Sequence, residues 1–171
     1  SSDRKMVLAA KLAFDLALPN QNTGKRKFLA PHDEEKWVRK LFEKAIAGFY
    51  ATVLGGNWKT YAGKMHQWPI ERQTAGIQNL LQSMKTDIFL ENFDQNRRII
   101  IDTKFNEILT SGYFRERAFR SGYMYQIYAY LRSQEKESDP LSQNSSGILM
   151  HPAVDEDVDE AVEIQNHAIR F

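Results

Sequence analysis

Cysteine is absent from this sequence. That excludes a disulfide scaffold, a Cys-ligated zinc site, an iron–sulfur cluster and a thiol nucleophile. No apolar run approaches the roughly 20 residues needed to cross a bilayer. The N-terminus lacks the basic, apolar and small-residue order of a secretory leader. No GxxxxGK[ST] phosphate loop occurs. His32, His66, His151 and His167 are scattered without metal-ligand spacing, and no role is assigned to them. The first residue is Ser1 rather than Met, which points to a processed chain or a piece of a longer one.

What is present is a chain of 171 residues, 42% apolar and 26% charged, enough for one domain with a real core. The net charge of +1 conceals an asymmetry. Residues 1–134 carry 21 Lys/Arg against 13 Asp/Glu, whereas residues 135–171 carry 2 against 9. The basic body is compatible with a polyanionic partner. The acidic run Asp155, Glu156, Asp157, Asp159, Glu160 and Glu163 reads as a solvated face.

Apolar spacing predicts a helix over 4–18, stopped by Pro19, then a polar linker with the cluster Lys25-Arg26-Lys27. A second helix opens near Asp33, carries Trp37, Leu41, Ala45, Phe49 and Val53, and ends at Gly55-Gly56. Trp58–Tyr61 and Trp68–Ile70 are short strand candidates. MKTDIFL (84–90) and RIIIDTKF (98–105) read as strands joined by the polar turn ENFDQNR, hence a hairpin whose second strand is largely buried. A long helix is predicted over 115–134, with Phe119, Tyr123, Gln126, Ile127, Tyr130 and Leu131 on its inner stripe. A polar loop over 135–146 and a strand over 147–150 follow; 156–163 reads as acidic and weakly helical, and 168–171 as the start of a strand. This order implies an α/β fold, a mixed sheet flanked by helices. The division expected is an N-terminal helix and linker (1–32), a core (33–134) and an acidic extension (135–171).

The hairpin carries the chemistry. Residues two apart share a strand face, so Asp102 and Lys104 project together. Folding the hairpin symmetrically between Asp94 and Gln95 sets Asp87 across from Asp102. Opposed Cβ atoms lie roughly 4.5–5.5 Å apart. Two carboxylates so placed repel unless something neutralises them, and hard Mg²⁺ prefers such oxygens. Lys104 beside them is suited to orienting a water or stabilising phosphate charge, as phosphodiester hydrolysis requires. The pattern [D/E]xK alone is weak, since it occurs three times: at Asp3–Lys5, Glu34–Lys36 and Asp102–Lys104. Only the third has an opposing Asp on a preceding strand. Hairpin geometry does not separate this reading from a surface ion pair with Asp87 at an edge.

The ordered set MKTDIFL, polar turn, IIIDTKF and YQIYAYL resembles the PD-(D/E)xK nuclease superfamily. With LFEKAIAGFY (41–50) and HPAVDEDVDEAVEIQNHAIRF it more closely resembles the McrC-type nuclease subunits of McrBC modification-dependent restriction systems, in their C-terminal nuclease half. The resemblance implies a restriction-endonuclease-like core and a cytoplasmic protein of a bacterium or archaeon. It implies a Mg²⁺- or Mn²⁺-dependent endodeoxyribonuclease directed at modified cytosine. Asp87 and Asp102 match the metal-binding carboxylates, Lys104 the catalytic lysine, and Glu43 the acidic residue on the first core helix. Glu43 also sits between Lys40 and Lys44, where it reads equally as a solvated partner. Gln126 and Tyr130, four apart on one helix face, match a Q-x-x-x-Y motif beside the active site. The superfamily's Pro before the first acid is Thr86 here, and Thr103 points to the opposite face and reads as packing.

Arg115, Arg117 and Arg120, with weaker expectation Tyr130 and Lys25–Lys27, are candidate contacts to double-stranded DNA. Trp37, Trp58 and Trp68 read as core rather than base-stacking platforms. With no nucleotide loop of its own, the chain is expected to rely on an AAA+ GTPase partner resembling McrB, whose docking half is expected to be missing here. Two other readings compete: a non-catalytic adaptor binding DNA or the GTPase, and a free-standing repair nuclease of the same superfamily.

Overall fold

A computed structural model describes residues 31–105, 108–110, 117–153 and 157–171. The expected helix over 4–18, the Lys25–Lys27 cluster, Arg115, Asp155 and Glu156 lie outside the described residues.

The chain enters through α1 (Pro31–Val53), the expected second helix. Gly55, at φ +75°, takes the left-handed conformation that ends it. Two short strands follow, β1 (Lys59–Ala62) and β2 (Met65–His66). After a loop with a 3₁₀ turn at Ile77–Asn79 come β3 (Met84–Lys85) and β4 (Ile88–Asn92). Then come β5 (Arg97–Thr103), β6 (Leu109–Thr110) and β7 (Ala118–Phe119). The chain continues through α2 (Ser121–Ser133), the single-turn α3 (Pro140–Gln143) and β8 (Ser146–Met150). It closes with β9 (Ala161–Ile164) and β10 (His167–Arg170).

The six-stranded sheet runs β1-β4-β5-β8-β10-β9. β5, β8 and β10 are parallel neighbours, and the remaining pairs are antiparallel, so the sheet is mixed as expected. The β4–β5 hairpin sets Ile88 against Ile101 and Asn92 against Arg97, leaving 93–96 as the turn. Asn92 Oδ1 accepts the Gln95 N–H at 3.0 Å, and Asn96 adopts φ 50°, which asparagine tolerates. Continued one step, this ladder brings Asp87 opposite Asp102.

Alternation along the hairpin divides the core. Ile88, Leu90 and Ile101 face α1 and pack with Ala47. Phe89 and Ile100 face α2 and join Ile127, Leu131, Leu149 and Ile169. At Gly147 on β8, α2 packs closely onto the sheet. A Cβ there would lie 2.8 Å from Ile127 Cγ1 and 3.1 Å from Leu131 Cδ1.

Several expectations are corrected. On α1 the inward stripe is Phe42, Ile46, Ala47, Tyr50 and Leu54, while Trp37, Phe49 and Val53 are exposed. One four-residue spacing was traded for its neighbour, and both are apolar. Trp68 is 36% exposed, so neither it nor Trp37 is core; Trp58 alone packs inward. The strand expected over 84–90 is interrupted at Thr86-Asp87, although pairing continues there. Gly63 N–H donates to Asp87 O at 2.8 Å and Thr86 N–H to Lys64 O at 3.0 Å. The kink sits on the partner at Gly63, φ +66°. Trp68–Ile70 is a turn, closed by Ile70 N–H to Trp68 O at 2.9 Å. α2 starts at Ser121, because Ala118–Phe119 pairs as β7 with β6. Ala161–Ile164, where the acidic stretch ends, forms strand β9 rather than a helix, and the carboxylates of Asp157, Asp159, Glu160 and Glu163 are exposed. Residues 135–171 supply β8, β9 and β10, three of the six strands of the sheet.

Candidate active site

The hairpin's open end gathers the predicted charges. Asp102 is 2% exposed on the α2 side of β5. Burial, with Asp87 adding to it, raises its carboxyl to about 6 against the pull of Lys104. Lys104 Nζ lies 2.6 Å from Asp102 Oδ2. That contact, at hydrogen-bond length, pairs the buried carboxylate with the lysine.

Lys104 is held from α2. Its Nζ donates to Gln126 Oε1 at 2.9 Å and stands 4.8 Å from the centre of the Tyr123 ring. Gln126 Nε2 donates to Tyr130 OH at 2.8 Å, and Tyr130 OH donates to Lys85 O at 2.9 Å. The Q-x-x-x-Y pair therefore forms a chain of hydrogen bonds from the lysine to β3. Tyr130 is largely buried, with its hydroxyl used in both senses within this chain of hydrogen bonds.

Asp87 is anchored by a residue that sequence reasoning treated as packing. Thr103 donates to Asp87 Oδ2 twice, from its backbone N–H and from Oγ1, each at 2.7 Å. Thr103 does lie on the α1 face, as alternation requires. A hydroxyl between the acid and the lysine of a D-x-K run was the available signal.

Glu43, half-buried on α1, has its carboxyl raised first by burial and next by the charge of Asp87, against Lys85, Lys40 and Lys44. It is thus within electrostatic reach of Asp87. Among the described residues, no three Asp, Glu or His side chains converge in the geometry of a closed metal site. Arg117 and Arg120 are exposed at the approach to α2.

The remaining charged clusters secure the fold. Arg98 binds buried Glu91 at 2.6 Å and Asp139 at 2.7 Å, tying the hairpin to the start of α3. His167 is fully buried, with Nδ1 2.8 Å from Ser145 O and Nε2 2.6 Å from Glu135 Oε1. No helix among the described residues is long and apolar enough to cross a membrane.

The chain is 26% identical over 152 residues to a protein of Escherichia coli (strain K12) named Type IV methyl-directed restriction enzyme EcoKMcrBC. That alignment covers 88% of this chain but 41% of the relative, so the chain spans less than half of that protein's length. Residues 37–142, which contain Glu43, both aspartates, Lys104 and the Gln126–Tyr130 pair, match the family described as McrBC 5-methylcytosine restriction system component. The hairpin with its opposed acids and the match across most of the sequence lead to one assignment: this chain belongs to the McrBC restriction system component family.

Proposed function

We propose that this chain is a Mg²⁺- or Mn²⁺-dependent endodeoxyribonuclease, the cutting component of a GTP-dependent restriction complex directed at modified cytosine. The observation that carries the reading is the buried Asp102 carboxylate, with the charge of Asp87 acting on it and Lys104 Nζ 2.6 Å away. A hard divalent cation suits such a donor set, since magnesium is commonly held by one or two carboxylates and retains several waters. Asp87 and Asp102 would hold it, with Glu43 supporting from α1. When bound, it would lower the pKa of a water and neutralise phosphate charge.

The chain's own residues do the remaining work. Thr103 fixes the Asp87 carboxylate, so the acids are pre-positioned. Lys104, held toward the acids by Gln126, offers its ammonium to charge developing on the phosphate. Tyr130 keeps the Gln126 amide from rotating by accepting its N–H. With no phosphate loop in the sequence, GTP hydrolysis falls to an AAA+ partner resembling McrB.

Lys104→Ala tests this division of labour. In the complex with the GTPase, DNA cleavage is expected to vanish while GTP hydrolysis stays near wild type. Equal loss of both activities would show that Lys104 is structural. Cleavage that survives the substitution would favour an adaptor role for this chain.

A further inference from the structure

Beside the acid site lies an open cleft of about 300 Å³, walled by Trp68, Ser83, Lys85, Gln126 and Tyr130. Small-molecule sites run from roughly 300 to 1,000 Å³, so it is of a size for a single small group. Gln126 and Tyr130 are the same side chains that orient Lys104, so cleft and acid site share a wall. Trp68 forms the outer side. Its indole N–H donates to Gln82 O at 2.8 Å, which fixes the ring against the segment leading into β3. The ring is nonetheless 36% exposed. A large aromatic that is oriented by a hydrogen bond yet left open to solvent is a prepared surface.

We infer that this cleft takes an unstacked nucleobase of the nucleotide next to the scissile phosphate, with Trp68 as its stacking surface. The placement of the phosphate rests on the nuclease reading above. The chemistry rests on the cleft itself: one aromatic plate held by its indole N–H, Met84 and Ala129 as apolar wall, and Ser83 and Gln126 as polar groups at its side. Every base offers a π-face, so stacking of this kind is sequence-tolerant. Base selection would then lie outside this cleft, and Trp68 would set the reach of the strand toward Lys104.

The test is DNA binding by the full chain with Ca²⁺ in place of Mg²⁺, read by fluorescence anisotropy without cleavage. Wild type, Trp68→Ala and Trp68→Phe are titrated with a short duplex and with the same duplex carrying abasic sites at the centre of one strand. Trp68→Ala is expected to weaken binding to intact DNA by about tenfold, within the range of one base–aromatic stack. Trp68→Phe should retain most of the affinity. Wild type should bind the abasic duplex as weakly as Trp68→Ala binds the intact one. Unchanged affinity in Trp68→Ala would overturn the proposal, as would equal weakening on both duplexes. If Trp68→Ala does not melt cooperatively, wild type on the two duplexes decides, and equal affinity overturns it. Loss of the GTPase partner with DNA affinity intact would likewise overturn it, assigning the patch to protein docking. Because no outcome depends on cutting, failure of the nuclease reading shows itself separately, as absence of Lys104-dependent cleavage.

Discussion

At the scale of the residue, Asp102 holds its proton more tightly in the fold than in the unfolded chain, because burial lifts it to about 6. The sign follows from linkage. Its contribution to stability is full below the unfolded value of about 4 and is lost as pH rises through about 6. Asp102→Asn should therefore raise the melting temperature of the metal-free chain at neutral pH, and the gap from wild type should close as pH falls toward 4. The same substitution should abolish the stabilisation that millimolar Mg²⁺ or Mn²⁺ gives wild type by binding the folded state. Thermal melts across pH, with and without metal, check both parts; a metal-insensitive wild type would refute the site. Thr103→Val removes one of the two bonds to Asp87 while keeping shape and backbone N–H. It should cost about 1.5–3 kcal/mol, as for a hydrogen bond to a charged group. In the GTPase complex it should lower cleavage without touching GTP turnover, measured by parallel denaturant titration and activity assays.

At the scale of the element, α2 is both a core helix and the arm that holds Lys104. Gly147 sets how near that arm comes to the sheet. Gly147→Val should overpack this contact at a cost of about 1–3 kcal/mol. Cleavage should fall further than stability alone explains, because Gln126 and Tyr130 would move with the helix. Comparing the variant's activity well below its melting temperature with wild type separates the two effects. The hairpin was legible because period-two patterning, a continuous Ile99–Ile101 run and a polar turn all agree, and its register follows from the turn position alone. The α1 face was not legible. Two apolar stripes compete on that helix, and only the sheet decides which is covered. The edge strand β9 was missed because it follows an acidic run and is itself largely exposed, where strand and helix look alike in composition. Thr103 and Trp68 were misjudged for a related reason. Whether a side chain packs or reaches a neighbour depends on where a strand ends, which spacing does not record.

At the scale of the whole molecule, charge separates along the chain: basic through residue 134, acidic beyond it. Asp157, Asp159, Glu160 and Glu163 are exposed at and before the outer strand β9, on the far side of the sheet from β1. DNA should meet modest attraction from one part and repulsion from another. Intrinsic affinity is therefore expected to be weak and steeply salt-dependent, with a log–log slope of about −3 to −5, corresponding to a handful of phosphates neutralised. Anisotropy titrations over a range of NaCl concentrations give that slope; a value near zero would show that phosphate contacts do not drive binding. Alone in Mg²⁺, the chain should melt cooperatively and cut duplex DNA poorly.

The Asp102–Thr103–Lys104 tripeptide has a mechanical consequence. One residue is an acid, the next clamps the other acid, and the third supplies the cation. Lys104 N–H is itself pinned to Met150 O at 2.8 Å on the neighbouring parallel strand. Thermal breathing of the hairpin should then move the two acids as one body through the Thr103 clamp, with the ammonium tied to it at Asp102 and to α2 at Gln126. The orientation of that body relative to the Trp68 loop and α1 is what drifts. Warming short of the melt should accordingly degrade capture of the strand before it degrades the reaction of a strand already seated.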